Sequence, residues 1–132
     1  MLYAMFSMVV LTFFVGLLAV KVRFNSVSSG TVKAKFYRLM QGQDVPEMVT
    51  KTTRSFNNFF ETPVLFYVVG SLYLTLNIDS TLAVYLAWLF VFFRCIHVYI
   101  HLTYNHILHR LLMFWCAFVC VFLLWINLIV EY

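Results

Sequence analysis

Residues 111–130 form a run of twenty without one charged side chain, and residues 1–20 form a second of the same length. A helix rises about 1.5 Å per residue, so about 20 apolar residues cross the hydrocarbon core of a bilayer. Two such runs in a chain of 132 residues leave little from which to build a water-soluble domain. Composition points the same way. Hydrophobic residues make up 64% and charged residues 11%, with a mean hydropathy of +0.91, whereas soluble domains carry roughly a quarter charged residues. A small soluble fold leaves much of its surface exposed and cannot hide so much apolar area. A soluble enzyme, a disordered chain and a secreted disulfide scaffold therefore do not fit. Cys95, Cys116 and Cys120, odd in number and set in apolar runs, read as free, packed thiols.

The polar breaks divide the chain into four helices of one membrane domain, spanning about 1–23, 47–77, 81–105 and 107–131. The first lacks a positive leading segment and a small-residue cleavage site, so it is expected to be retained. A polar first loop follows, with residues 26–30 as its flexible part. In the second helix the apolar portion is Thr62 to Ile78, and Pro63 is expected to kink it. Asn77 to Ser80 reads as a tight turn, with Ser80 the N-cap of the third helix. The expected fold is an all-α, integral-membrane, antiparallel four-helix bundle, in which short second and third loops make neighbours of helices two, three and four.

Charge supplies an orientation. Seven of the nine Lys and Arg residues (Lys21, Arg23, Lys33, Lys35, Arg38, Lys51 and Arg54) lie between positions 21 and 54. Basic loops stay cytoplasmic, so loops one and three are expected to face the cytoplasm and both termini to face away. A bacterial inner membrane or an intracellular membrane is the expected home. The net charge of +4 is thus a matter of topology, and no basic-aromatic platform for nucleic acid accompanies it.

Polar residues inside the spans are the functional signal. A charge at the centre of a membrane helix costs about 2.5–3.5 kcal/mol on insertion scales and needs a partner or a wet cavity. Arg54, Asn58 and Glu61 share one face of helix two at helical spacing. Arg94, His97, His101 and Tyr104 form a stripe on helix three, and Arg110 opens helix four. Given the helix directions, these stripes converge on the cytoplasmic half of the bundle. One alternative is structural, with Arg94 and Glu61 neutralising each other while Arg54 and Arg110 snorkel to headgroups. The polar groups exceed what pairing needs. Three cations against one anion predict an anionic ligand carrying an ammonium or amide to meet Glu61. His97 and His101, with His106 and His109 beyond, have no third ligand placed with them and have arginines nearby, so no metal is expected. An ion or proton pathway would need polar groups across the whole span, and the far half offers almost none.

The stretch Arg54-Ser55-Phe56-Asn57-Asn58-Phe59-Phe60-Glu61 resembles the MAPEG family, membrane-associated proteins of eicosanoid and glutathione metabolism. The family's helix-two signature runs Glu-Arg-x-x-Arg-x-His-x-Asn-x-x-Glu. Lys51, Arg54, Asn58 and Glu61 fall on its basic, basic, Asn and Glu places. Arg94-Cys95-Ile96-His97 is similar to the family's Arg-x-x-His on helix three, and Arg110 stands at its helix-four arginine. Arg23 resembles a basic residue used near the glutathione carboxylate. The resemblance implies a homotrimer with glutathione as co-substrate between subunits, held by Arg23, Lys51, Arg54, Asn58, Glu61, Arg94, His97, His101 and Tyr104. It also implies Arg110 by the sulfur, favouring the reactive thiolate, and an apolar second substrate arriving through membrane lipid. The implied activity is a glutathione transferase or peroxidase acting on lipophilic electrophiles or lipid hydroperoxides. The alternative is a non-catalytic membrane module that binds lipid or a partner protein. Four positions depart from the pattern. Phe56 replaces the signature histidine, Thr50 its leading acid, Leu111 a serine found in some members, and His101 a common tyrosine. Thr103 and Tyr104 are candidate substitute hydroxyls.

Overall fold

The computed structural model describes residues 1–132 and is helical throughout, without strands. Helix α1 spans Leu2–Ser28, α2 Phe36–Leu39, α3 Glu47–Asn57, α4 Thr62–Thr75, α5 Thr81–Leu102 and α6 Ile107–Glu131. A 3-10 turn, Asn58–Phe60, lies between α3 and α4. Three helices, α1, α5 and α6, are long and apolar enough to cross a membrane.

Two elements differ from the sequence expectation. Helix α1 continues past Arg23 to Ser28, so residues 26–28 belong to its last turns rather than to a flexible loop. Lys21 and Arg23 end the apolar stretch, but both residue types are good helix formers. The helix stops only ahead of Gly30, whose φ of +71° is one that glycine adopts freely. The second segment is divided rather than kinked. Proline has no N–H for the carbonyl four residues earlier, and its ring crowds that carbonyl. The turn before Pro63 accordingly tightens to 3-10, Glu61 leaves helical geometry at φ −105° and ψ −106°, and α4 starts afresh with Pro63 in its first turn. There the missing N–H has no helical partner to lose. Helix α4 keeps 14 residues.

Packing is led by the α5–α6 hairpin. Helix α1 lies against α3, α4 and α5, and α4 reaches α6. Met8, Val15, Phe66, Val69, Ala87, Phe90, Ala117 and Leu124 are fully buried between them, and the Phe66 and Phe90 rings stack with centroids 4.4 Å apart. Two glycines let α1 approach closely. A Cβ at Gly70 would lie 2.8 Å from the Met5 sulfur, and one at Gly16 3.0 Å from the Phe56 ring. At the end bearing the termini, Tyr73 donates to Asn127 Oδ1 at 2.7 Å and Ser80 donates to the same atom at 2.9 Å, tying α4 and the start of α5 to α6. Ser80 also caps α5, its hydroxyl accepting from Ala83 N at 3.4 Å. Outward faces are apolar: Phe6, Phe13 and Leu17 on α1 and Ile129 and Val130 on α6 are exposed.

The first loop is folded onto this frame. Val32 and Phe36 are buried, Ser26 and Tyr37 share a 2.6 Å hydroxyl hydrogen bond, and the Arg23 guanidinium sits 5.7 Å from the Tyr37 ring centroid.

Candidate functional site

A pocket of about 400 Å³ opens at the end of the molecule where α3 meets the α5–α6 loop. Three elements supply its polar lining: Arg54, Asn57, Asn58 and Glu61 from α3 and the 3-10 turn, His97 and His101 from α5, and Arg110 from α6. Ile107, Leu111 and Phe114 form the apolar part. Glu61 directly follows the 3-10 turn, and Asn58 Nδ2 donates to its Oε2 at 3.0 Å. The break before Pro63 thus sets the one carboxylate of the pocket at its rim.

The α5–α6 corner orients the remaining groups. Asn105 takes the left-handed conformation at φ +49°, which asparagine tolerates better than most residues. Its Oδ1 accepts from Arg110 Nη1 at 2.9 Å. His97 Nδ1 lies 3.0 Å from the Arg110 carbonyl. A carbonyl can only accept, so Nδ1 carries a proton and the other ring nitrogen is free for a ligand. His97 and His101 are buried, their rings 6.1 Å apart.

Arg94 stands behind this lining rather than in it. It is fully buried; one Nη donates to the Asn58 carbonyl at 3.3 Å, and the guanidinium lies 5.2 Å from the Phe59 ring centroid. Its Nε and other Nη have no hydrogen-bond partner. The only ion pair in the chain joins Lys51 to Glu47 at 2.7 Å, so Arg94 and Glu61 are not in contact as a salt bridge. A buried cation with two idle donors costs free energy unless something else meets it.

The other sequence candidates lie outside the pocket. Lys51, besides its pairing with Glu47, donates to the Thr103 carbonyl at 3.0 Å. Arg23 donates to the Thr53 hydroxyl at 3.1 Å and lines a different, apolar groove of about 470 Å³ with Phe13, Gly16, Leu17, Phe56 and Phe60. Phe56, at the position where the signature has histidine, faces this groove and α1. Tyr104 is exposed and pairs with His109 Nδ1 at 3.1 Å, while Thr103 donates back to the Tyr99 carbonyl at 2.6 Å. Neither candidate hydroxyl reaches the pocket, and no Ser, Thr or Tyr lines it. Asn57 and Asn105 escaped the sequence reading. Asn57 sits beside the recognised Asn58, and only the tertiary fold reveals that Asn105 holds Arg110.

Two arginines, an imidazole pair, two amides and one carboxylate can bind a small zwitterion with more than one negative group. Arginine's planar fork suits carboxylates, since it can meet both oxygens. Neither the curated proteins nor the solved structures compared with this chain give a match. A family model does match, over residues 1–130. With the apolar helices and the polar pocket, this match makes the chain a member of the MAPEG family, an integral membrane protein of the glutathione and eicosanoid metabolism type.

Proposed function

We propose that this protein binds glutathione and is a membrane glutathione transferase or peroxidase, acting on lipophilic electrophiles or lipid hydroperoxides. One observation carries the reading: Arg54 and Arg110 line a pocket whose only carboxylate is Glu61. Glutathione brings two carboxylates, a thiol that can ionise and an ammonium, so its anionic groups suit the arginines and its ammonium suits Glu61. Arg54 takes one carboxylate, with Arg94 reinforcing the positive potential from behind. Glu61 and Asn58 take the ammonium, while His97 and His101 meet the peptide amides. Arg110 is the proposed catalytic residue, its guanidinium stabilising the thiolate.

The assembly belongs to the same proposal. Each subunit is a four-helix membrane bundle whose second span is the divided α3–α4 segment, and three subunits enclose the sites between them. Arg54 and Glu61 are exposed in one chain, which suits a site completed by a neighbour. Arg23, Lys51 and Tyr104, outside their own chain's pocket, serve glutathione only across such a boundary. Loops one and three, and with them the pocket, face the cytoplasm by the charge rule. The apolar groove lined by Phe13, Leu17, Phe56 and Phe60 suits an acceptor that travels in the membrane.

A second reading, a non-catalytic module binding lipid or a partner, is favoured by the absence of a hydroxyl side chain in the pocket and by Leu111 in its wall. Calorimetry with glutathione on the purified trimer tests the proposal. Binding together with conjugation of a small electrophile faster than in buffer supports the enzyme. Binding without rate enhancement removes the catalytic role and keeps glutathione as a ligand, and no binding to an intact trimer overturns the glutathione reading and leaves the second one.

A further inference from the structure

We propose that the first loop is a built receptor for the phosphate of an anionic phospholipid in the protein's own membrane. The loop encloses a cup of about 420 Å³, separate from the polar pocket, with Lys33, Lys35 and Arg38 on its rim and no carboxylate in its lining. None of the three cations forms an ion pair within the chain. All three are exposed, so their charge is available to a ligand.

The cup is held in shape by the fold. Gln43 closes it like a clasp: its Oε1 accepts from Lys33 N at 3.2 Å and its Nε2 donates to the Thr31 carbonyl at 2.9 Å. Val32 N donates to the Ser26 carbonyl at 3.0 Å, anchoring the loop to the end of α1. Phe36 forms the buried floor, and the chain turns out of α2 through Met40, at φ +55°. A mere topological signal needs positive charge but no such closure, because the charge rule acts on residue counts near a span.

Membrane lipid is favoured over a soluble phosphate by the apolar lip. Leu39 lines the cup and is 77% exposed, and the loop leaves a spanning candidate within a few residues of its end. A leucine beside three cations, on a loop next to a spanning helix, suits an apolar contact with the lipid while the cations meet its headgroup.

The test uses the full chain in nanodiscs of phosphatidylcholine with graded phosphatidylglycerol, counting retained lipids by native mass spectrometry. The wild type should retain phosphatidylglycerol selectively, and the triple variant Lys33→Gln, Lys35→Gln, Arg38→Gln should lose about tenfold or more of that selectivity. Lys21→Gln, outside the cup, should retain it, and so should the charge-conserving Lys33→Arg, Lys35→Arg, Arg38→Lys. Equal selectivity in the wild type and the Gln triple variant would overturn the site. Inorganic phosphate binding in pure phosphatidylcholine discs, lost in the triple variant and without lipid selectivity, would overturn the lipid assignment. The Gln triple variant should bind glutathione as the wild type does, so this proposal and the proposed function fail separately.

Discussion

Arg94 presents the sharpest conflict between stability and use. A fully buried guanidinium with two idle nitrogens is a poor structural element, and replacing buried ionic groups by well-packed apolar ones is often neutral or stabilising by about 1–4 kcal/mol. Arg94→Met should therefore melt at the same temperature or higher. It should also bind glutathione several-fold more weakly, on the scale of about 1 kcal/mol for losing a charge that acts from behind the pocket rather than through a hydrogen bond. Thermal melts and calorimetry on one sample check both halves, and a destabilised variant with unchanged affinity would make Arg94 structural. Arg110 separates binding from chemistry. If its charge lowers the pKa of the bound thiol, thiolate is present at neutral pH and is lost as pH falls through the lowered value. In Arg110→Leu that loss should move up towards about 8.5, the ordinary thiol value, with little change in affinity. Ultraviolet titration of the thiolate in the bound complex follows this directly, and the rate of conjugation should track it. The same titration curve in both variants would remove Arg110 from the catalytic role.

Among the elements, the divided second segment matters most. Its parts do different work: α3 and the 3-10 turn carry the polar lining, and α4 packs into the apolar core. At the break, Glu61 leaves helical geometry with its carboxylate hydrogen-bonded to Asn58 three residues earlier. Far from the pocket, Asn127 joins three elements by accepting from both Tyr73 and Ser80. Asn127→Leu strips a shared acceptor from a part-buried cluster and should cost about 1 kcal/mol. Tyr73 keeps its contact to the Leu124 carbonyl at 3.1 Å, which limits the loss. A lowered melting temperature with unchanged glutathione affinity is the expected result. An altered affinity would mean that the two ends of the helices are coupled.

For the whole molecule, one chain leaves Arg54 and Glu61 exposed beside long helices whose outward faces are largely apolar. Bare charges against hydrocarbon are costly, and burying them against a copy of the same chain removes that cost while enclosing the ligand. Mass measurement in detergent or nanodiscs should give three copies per particle. A stable monomer that binds glutathione with full affinity would show that one chain makes the whole site.

The membrane class, the helical fold and most polar candidates were legible from residue order. Uncharged runs of twenty residues admit few other solutions, and the spacings 54-58-61 and 94-97-101 place charges on single faces. Tertiary structure decided which candidates meet. Arg54, Asn58, Glu61, His97, His101 and Arg110 share a pocket, whereas Arg94 is withdrawn behind it and Arg23, Lys51 and Tyr104 turn elsewhere. Helical periodicity assigns a residue to a face but not to a neighbour, because the neighbour depends on where the helix breaks and how its pieces pack. Pro63 announced a disturbance. Its local chemistry accounts for the tightened turn before it, but that Asn58 and Glu61 then line one pocket with His97, His101 and Arg110 is visible only in the tertiary structure.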